Sequence, residues 1–170
     1  MTALPDRSGA TLPGRLLKKG LSVLVPLLLA ACSPLALVNS LVPTADLTAV
    51  RDIAYGSAER QRLDVYRPAA ANGGAGAGAP VVVFFYGGSW QGGNRGDYLF
   101  MAEALAARGL VVVLPDYRVY PEVRFPGFME DAAAAVRWVR DHAAEHGGDP
   151  KRIFLMGHSA GAHIAVLLSL

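Results

Sequence analysis

Hydrophobic and polar positions change rhythm along the chain. Between residues 49–55 and 61–67 the alternation is partial, with Leu63, Val65 and an aromatic falling on one face, and the intervening Gly-Ser-Ala-Glu predicts a hairpin that Pro68 closes. From Pro80 the rhythm changes to short, wholly apolar runs: Val81-Val82-Val83-Phe84-Phe85, Leu110-Val111-Val112-Val113-Leu114 and Ile153-Phe154-Leu155-Met156. Such runs mark strands buried on both faces. Between them, residues 97–108 carry Leu99, Met101 and Leu105, and residues 127–146 carry Phe128, Ala132, Val136 and Val139, at helical spacing. Gly147-Gly148 ends the second of these helices. Strand and helix alternate, which predicts an α/β fold: a mostly parallel sheet with an antiparallel N-terminal hairpin and helices on both faces.

Upstream of the hairpin, the apolar block from Gly20 to Ala31 follows Arg15, Lys18 and Lys19 and ends in Leu29-Ala30-Ala31-Cys32. A charged stretch, an apolar stretch and a small-residue exit form a secretory signal over residues 1–31. The exit resembles a bacterial lipobox, in which small residues admit the cleavage enzyme and the new N-terminal thiol takes a diacylglycerol. Cys32 is therefore expected to carry a lipid anchor, residues 32–48 to act as a tether, and the protein to sit on a bacterial envelope membrane. A plain secretory signal or an uncleaved membrane helix reaching Val38 are the alternatives, and Pro26 and Pro34 weaken the latter. The Gly/Ala stretch of 69–79 cannot bury a core and predicts a flexible surface loop.

Composition narrows the function classes. Of 170 residues 52% are hydrophobic and 18% charged, too apolar for a disordered chain. The net charge of +2 comes from the leader: the remainder has 12 basic and 13 acidic groups, a balance of −1. That gives nucleic acid no electrostatic footprint. One Cys and four His exclude an internal disulfide framework and a multi-thiolate zinc site, and no metal or organic cofactor is expected.

The most specific chemical signal is Gly157-His158-Ser159-Ala160-Gly161, placed after an apolar strand and before an apolar helix. A G-x-S-x-G at a strand-to-helix turn lifts the serine hydroxyl above the sheet, and the flanking glycines let strand and helix approach. Ser159 is the candidate nucleophile, and the Ala160 N–H, at a helix start, is aimed at a developing oxyanion. Tyr86-Gly87-Gly88-Ser89-Trp90 follows the first apolar strand, where paired glycines allow backbone N–H groups to face a cavity.

With Asp116-Tyr117-Arg118-Val119-Tyr120-Pro121-Glu122 and Phe125-Pro126 between these two motifs, residues 50–170 resemble the carboxylesterase branch of the α/β-hydrolases. The hormone-sensitive-lipase-like, feruloyl-esterase-like and HGGxW esterases, including isoprenylcysteine-methylesterase-like and kynurenine-formamidase-like proteins, are the nearest in pattern. The resemblance implies an α/β-hydrolase fold, Ser159 as nucleophile, and Gly88 and Ala160 as oxyanion donors. It adds Gly87 or Ser89 as a third donor and Trp90 as a residue shaping the acyl side. The substrate class it implies is a small-molecule ester. Tyr86 stands where the family usually has His, a departure that concerns how the loop is held. Arg118 and Glu122 are expected to brace the loop, and Asp131 to stabilise the first turn of its helix.

Such enzymes order their triad as Ser, acid, His, whereas His142 and His146 precede Ser159, and His158 and His163 lie within four residues of it. None is a convincing base. Residues 49–170 are thus expected to be the N-terminal half of a hydrolase domain, inactive alone, with acid and base beyond Leu170. The alternatives are a serine peptidase or amidase on the same fold, or a noncatalytic hydrolase-fold lipoprotein.

Overall fold

The alternating segments pair as an antiparallel hairpin, β1 (Leu47–Ala54) with β2 (Arg62–Pro68), in the computed structural model, which describes residues 34–69 and 78–170. A bulge interrupts the pairing between Val50 and Ile53, where Asp52 takes a φ of 60°. One-face alternation does not hold in β2. Leu63, Asp64, Val65 and Tyr66 are all buried, because β2 lies inside the sheet and pairs with a second antiparallel neighbour, β4 (Val111–Pro115). Asp64 is tolerated there because it accepts hydrogen bonds from the Asp52 N–H (2.9 Å), Arg95 Nε (2.8 Å) and the Tyr66 hydroxyl (3.0 Å). Burial, reinforced by the Asp64 charge, pushes the Tyr66 phenol up to about 12.

The apolar runs form the parallel half. β3 (Ala79–Phe85) pairs with β4 on one side and with β5 (Gly148–Gly157) on the other, giving the five-stranded order β1-β2-β4-β3-β5. Residues 81–85 of β3 and all of β4 are buried, as strands covered on both faces must be. β5 begins earlier than its apolar run, since Gly148 pairs with Ala79 before the register shifts around Pro80, which has no N–H to give the ladder. It is an edge strand among the described residues, with Phe154 57% and Met156 39% exposed.

A 3-10 turn (Arg95–Tyr98) and α2 (Leu99–Ala106) cross from β3 to β4, and α3 (Gly127–His142) with a further 3-10 turn (Ala143–His146) carries the chain back to β5. Gly147 stops that turn in the left-handed region, φ 78°, which glycine adopts without strain. α4 (Ala160–Leu168) follows β5. The segment read as a tether is more than a spacer. It contains α1 (Pro34–Ser40), and the Asn39 side chain donates to the Gly96 carbonyl (2.9 Å) and accepts from the Phe100 N–H (3.1 Å). The signal, Cys32 and residues 70–77 of the Gly/Ala stretch lie outside the described residues. No described helix is long and apolar enough to cross a membrane.

Candidate active site

The two motifs meet because of strand order. β3 and β5 are parallel neighbours whose last residues, Phe85 and Gly157, are register partners, so the turns that follow start side by side at the carboxyl edge of the sheet. The chain reverses its direction of winding here, β4 lying on one side of β3 and β5 on the other, and α/β sheets hold ligands at such points. The His158 N–H donates to the Phe85 carbonyl (3.0 Å), tying one turn to the other.

Ser159 adopts φ 53° and ψ −118°, a region that non-glycine residues avoid at a cost of about 1–3 kcal/mol. The turn is feasible only without side chains beside it. A Cβ on Gly161 would lie 2.0 Å from the Phe85 carbonyl oxygen, and one on Gly157 would lie 2.3 Å from the Gly161 backbone. Ser159 is exposed, and the N–H of Ala160, first residue of α4, has no partner within the helix.

Residues 86–93 form the facing loop. Gly88 (φ 140°), Ser89 (φ 53°) and Trp90 (φ 57°) succeed one another at positive φ, and Gln91 and Gly92 N–H groups close back on the Gly88 carbonyl at 2.9 and 3.2 Å. Among the described residues the N–H groups of Gly87, Gly88 and Ser89 meet no protein acceptor. These are the donors that an anion above Ser159 would find. Trp90 stacks on Phe128 (5.9 Å between ring centres), meets His163 edge-on (5.4 Å) and accepts the Tyr120 N–H at its carbonyl (2.8 Å). Its indole Nε1 is buried without a partner among the described residues.

The sequence of residues 63–170 matches the family model BD-FAE. The chain belongs to the BD-FAE family. Among relatives of this BD-FAE chain, an isoprenylcysteine alpha-carbonyl methylesterase of Arabidopsis thaliana is 41% identical over 115 residues, covering 68% of this chain and 26% of that protein. The carboxylesterase NlhH of Mycobacterium tuberculosis is 44% identical over 92 residues, covering 53% of this chain and 28% of its own. Among solved structures, esterase B from Lactobacillus rhamnosis superposes with a TM-score of 0.70 at 26% identity, over 91% of this chain and 48% of that one. Esterase 2 of Thermogutta terrifontis gives 0.59 at 34% identity, over 73% and 46%. The fold is thus that of the α/β-hydrolases, and the chain spans about a quarter of the length of its sequence relatives and about half that of the solved esterases.

Around the BD-FAE site, several residues hold the geometry that sequence patterns do not reveal. The Tyr98 hydroxyl lies 3.0 Å from His158 Nδ1, so the variable residue of the elbow is engaged by the turn that follows the loop. Arg95 reaches Asp64 (2.8 Å), Asp52 (2.9 Å) and Asp116 at once. Arg60 bonds both ends of the loop. Nothing in the spacing of Arg60 or Arg95 could have found them, because their partners are 21–57 residues away.

Two bracing expectations change. Arg118 does brace, but through Asp131: its N–H, Nε and Nη2 bond the carboxylate at 2.9, 2.8 and 2.7 Å, and Gln61 adds a fourth bond at 2.7 Å. Asp131 therefore locks the loop after β4 to α3 instead of capping the helix; desolvation opposes its charge, yet these bonds keep its carboxyl below the ordinary value. Glu122 is exposed and makes no hydrogen bond with the described residues. No His side chain bonds the Ser159 hydroxyl among the described residues: the His163 N–H donates to the Ser159 carbonyl (3.2 Å) while its ring lies against Trp90, His142 stacks on Trp138 (4.4 Å), and desolvation lowers the His146 pKa beside the same indole. A groove of about 770 Å³ between α3 and β5, lined by Val136, Arg140, Ile153 and Phe154, contains none of the candidate catalytic residues.

Proposed function

We propose that the whole protein is a serine carboxylesterase acting on small-molecule esters, with Ser159 as nucleophile. The observation that carries this reading is the strained Ser159 turn set directly against free N–H groups of residues 87–89. Ser159 Oγ attacks the ester carbonyl and loses its proton to a base. The N–H groups of Gly88, Ala160 and either Gly87 or Ser89 bind the negative oxygen of the tetrahedral intermediate. Collapse expels the alcohol with a proton, and water then attacks the acyl-serine to release the acid. The base and its orienting carboxylate are assigned to parts of the whole protein outside the described residues, since no His side chain among the described residues bonds the Ser159 hydroxyl. Trp90, seated between Phe128 and His163, borders the acyl side.

In the whole protein, Ser159→Ala is expected to abolish hydrolysis of a nitrophenyl acetate and labelling by a serine-directed fluorophosphonate while leaving the melting temperature unchanged. Full activity in that variant sinks the assignment. A wild-type protein that neither hydrolyses nor labels would instead be a noncatalytic member of the fold.

We also propose that Cys32 anchors the protein to an envelope membrane, a reading supported by the apolar block and small-residue exit in front of the only thiol of the sequence. Labelling with a palmitate analogue should mark the protein and be lost in Cys32→Ser. Equal labelling of the variant would exclude it.

A further inference from the structure

We infer that Arg60 is a positioning residue for the proposed oxyanion loop: one guanidinium in the β1–β2 turn clasps both ends of residues 86–93 and fixes the backbone donors between them. The inference rests on the serine-esterase reading of that loop. Arg60 Nη2 donates to the Tyr86 hydroxyl at the start of the loop (2.9 Å) and to the Gly93 carbonyl at its end (2.8 Å). Its Nε donates to the Tyr117 carbonyl just after β4 (3.0 Å). Tyr117 completes the ring: its hydroxyl donates to the Tyr86 carbonyl (2.7 Å), and its ring stacks on that of Tyr86, with centres 4.7 Å apart and planes 18° apart. Gly93 is drawn so close that a Cβ on it would stand 2.5 Å from both the Tyr86 ring and the Gly87 carbonyl oxygen.

Arg60 is itself held from behind. The turn closes through Tyr55 N–H to the Gln61 carbonyl (3.0 Å) and Ala58 N–H to Gln61 Oε1 (3.0 Å), while Gln61 Nε2 reaches Asp131 on α3 (2.7 Å). Tyr55 donates to the Asp116 carbonyl (2.5 Å). A side chain pinned at its root and bonded through Nε and Nη2 to three acceptors is a rigid strut, which suits a guanidinium and not an ammonium. The loop needs one. Three consecutive residues at positive φ, two of them non-glycine, persist only where the surroundings over-determine them, and between Gly88 and Gly93 the loop's own backbone bonds are the two to Gly88. Donor placement within fractions of an ångström decides oxyanion stabilisation, so a strut on the loop acts on turnover more than on substrate affinity.

The test compares Arg60→Met, Arg60→Lys and Tyr86→Phe with the wild-type whole protein. Arg60→Met should lower kcat on an activated short-chain ester by about tenfold or more, with KM changed by less than about threefold. Amide hydrogen exchange of a peptide spanning residues 86–93 should accelerate by about tenfold while peptides of β3 and β4 keep their rates. Arg60→Lys should recover only part of kcat, and Tyr86→Phe, which keeps the stack and removes one acceptor, should fall between wild type and Arg60→Met. Unchanged exchange in the loop, or unchanged kcat in an enzyme that Ser159→Ala inactivates, overturns the strut while leaving the esterase reading in place. Hydrolysis that survives Ser159→Ala overturns the esterase reading, and the exchange rates then decide the strut alone. If Arg60→Met does not fold, Arg60→Lys and Tyr86→Phe decide by the same two measurements.

Discussion

Gly87 lies directly against Ser159. A Cβ on Gly87 would stand 3.0 Å from the Ser159 Cβ, 3.0 Å from the His158 carbonyl oxygen and 2.9 Å from His158 Nδ1. Its φ is unexceptional, so glycine serves close approach here, whereas at Gly88 (φ 140°) it serves conformation. The pairing of Phe85 with Gly157 brings the two turns level, and the missing side chain lets them touch.

Gly87→Ala should therefore act as a spacer. Contacts near 3.0 Å can be relieved by a shift of a few tenths of an ångström, so the variant is expected to fold with a loss below about 2 kcal/mol, within the range for modest overpacking. The same shift moves the loop N–H groups away from Ser159, and kcat in the whole protein should drop by about 10–10²-fold. Thermal melts and steady-state kinetics on the same preparation separate the two effects; wild-type kcat would show that the loop is not set by this contact.

Gly161→Ala addresses the fold beneath the site. The added Cβ would meet the Phe85 carbonyl oxygen at 2.0 Å and the Tyr86 carbonyl oxygen at 2.6 Å, both backbone atoms with no rotamer to yield. Either α4 separates from β3 or the elbow opens. A loss of at least about 3 kcal/mol, the upper end for overpacked cores, is expected in denaturant unfolding. A stable, active variant would mean that α4 does not approach β3 this closely.

What was legible in the sequence was local. The runs 81–85 and 110–114 declare buried strands because both faces are covered, and the glycines of residues 157–161 declare a strand-to-helix turn because nothing else fits between Phe85 and α4. Buried polar partnerships were not legible. Asp64 departs from the expected alternation of β2 and is tolerated because Arg95, 31 residues on, satisfies it, and the partners that make Asp131 a lock and not a helix-end charge, Arg118 and Gln61, lie outside its helix. Asn39 made part of the expected tether into a docked helix by two hydrogen bonds to residues 57 and 61 positions away. Pattern reading sees the period of a segment and not the partner of a charge.

Acid stability should report on Asp131. Its carboxylate is desolvated, but the Arg118 and Gln61 bonds to the charged form outweigh that and hold its pKa below the ordinary 3.8. The stabilisation is therefore complete above the ordinary value and is lost as pH falls through the lower, folded value. Asp131→Asn should destabilise at pH 7 by about 1–3 kcal/mol, the cost of losing charged hydrogen bonds in a buried site, and should show a shallower decline below pH 4. Parallel melting curves from pH 7 down to pH 2 make the comparison. Identical acid slopes in wild type and variant would remove Asp131 from the list of groups that set acid stability.

Arg95 offers the sharpest separation between stability and site geometry. It is the common partner of Asp64 and Asp116, whose side chains are each only 7% exposed, and it begins the 3-10 turn that presents Tyr98 to His158. Without the cation both carboxylates would be left buried with their charge uncompensated. Removing one member of a buried charge cluster costs about 3–5 kcal/mol because the others are left uncompensated. Arg95→Met is accordingly expected to lose stability of that order at pH 7. Adding Asp116→Asn and Asp64→Asn to it should restore part of the loss, because the stranded charges disappear. Tyr98→Phe, by contrast, removes only the hydroxyl that meets His158, so its melting temperature should stay near wild type while the elbow loses one restraint. If Arg95→Met is as stable as wild type, or the added amides fail to restore any stability, the cluster is a solvated surface network and not the support of the turn beneath the site.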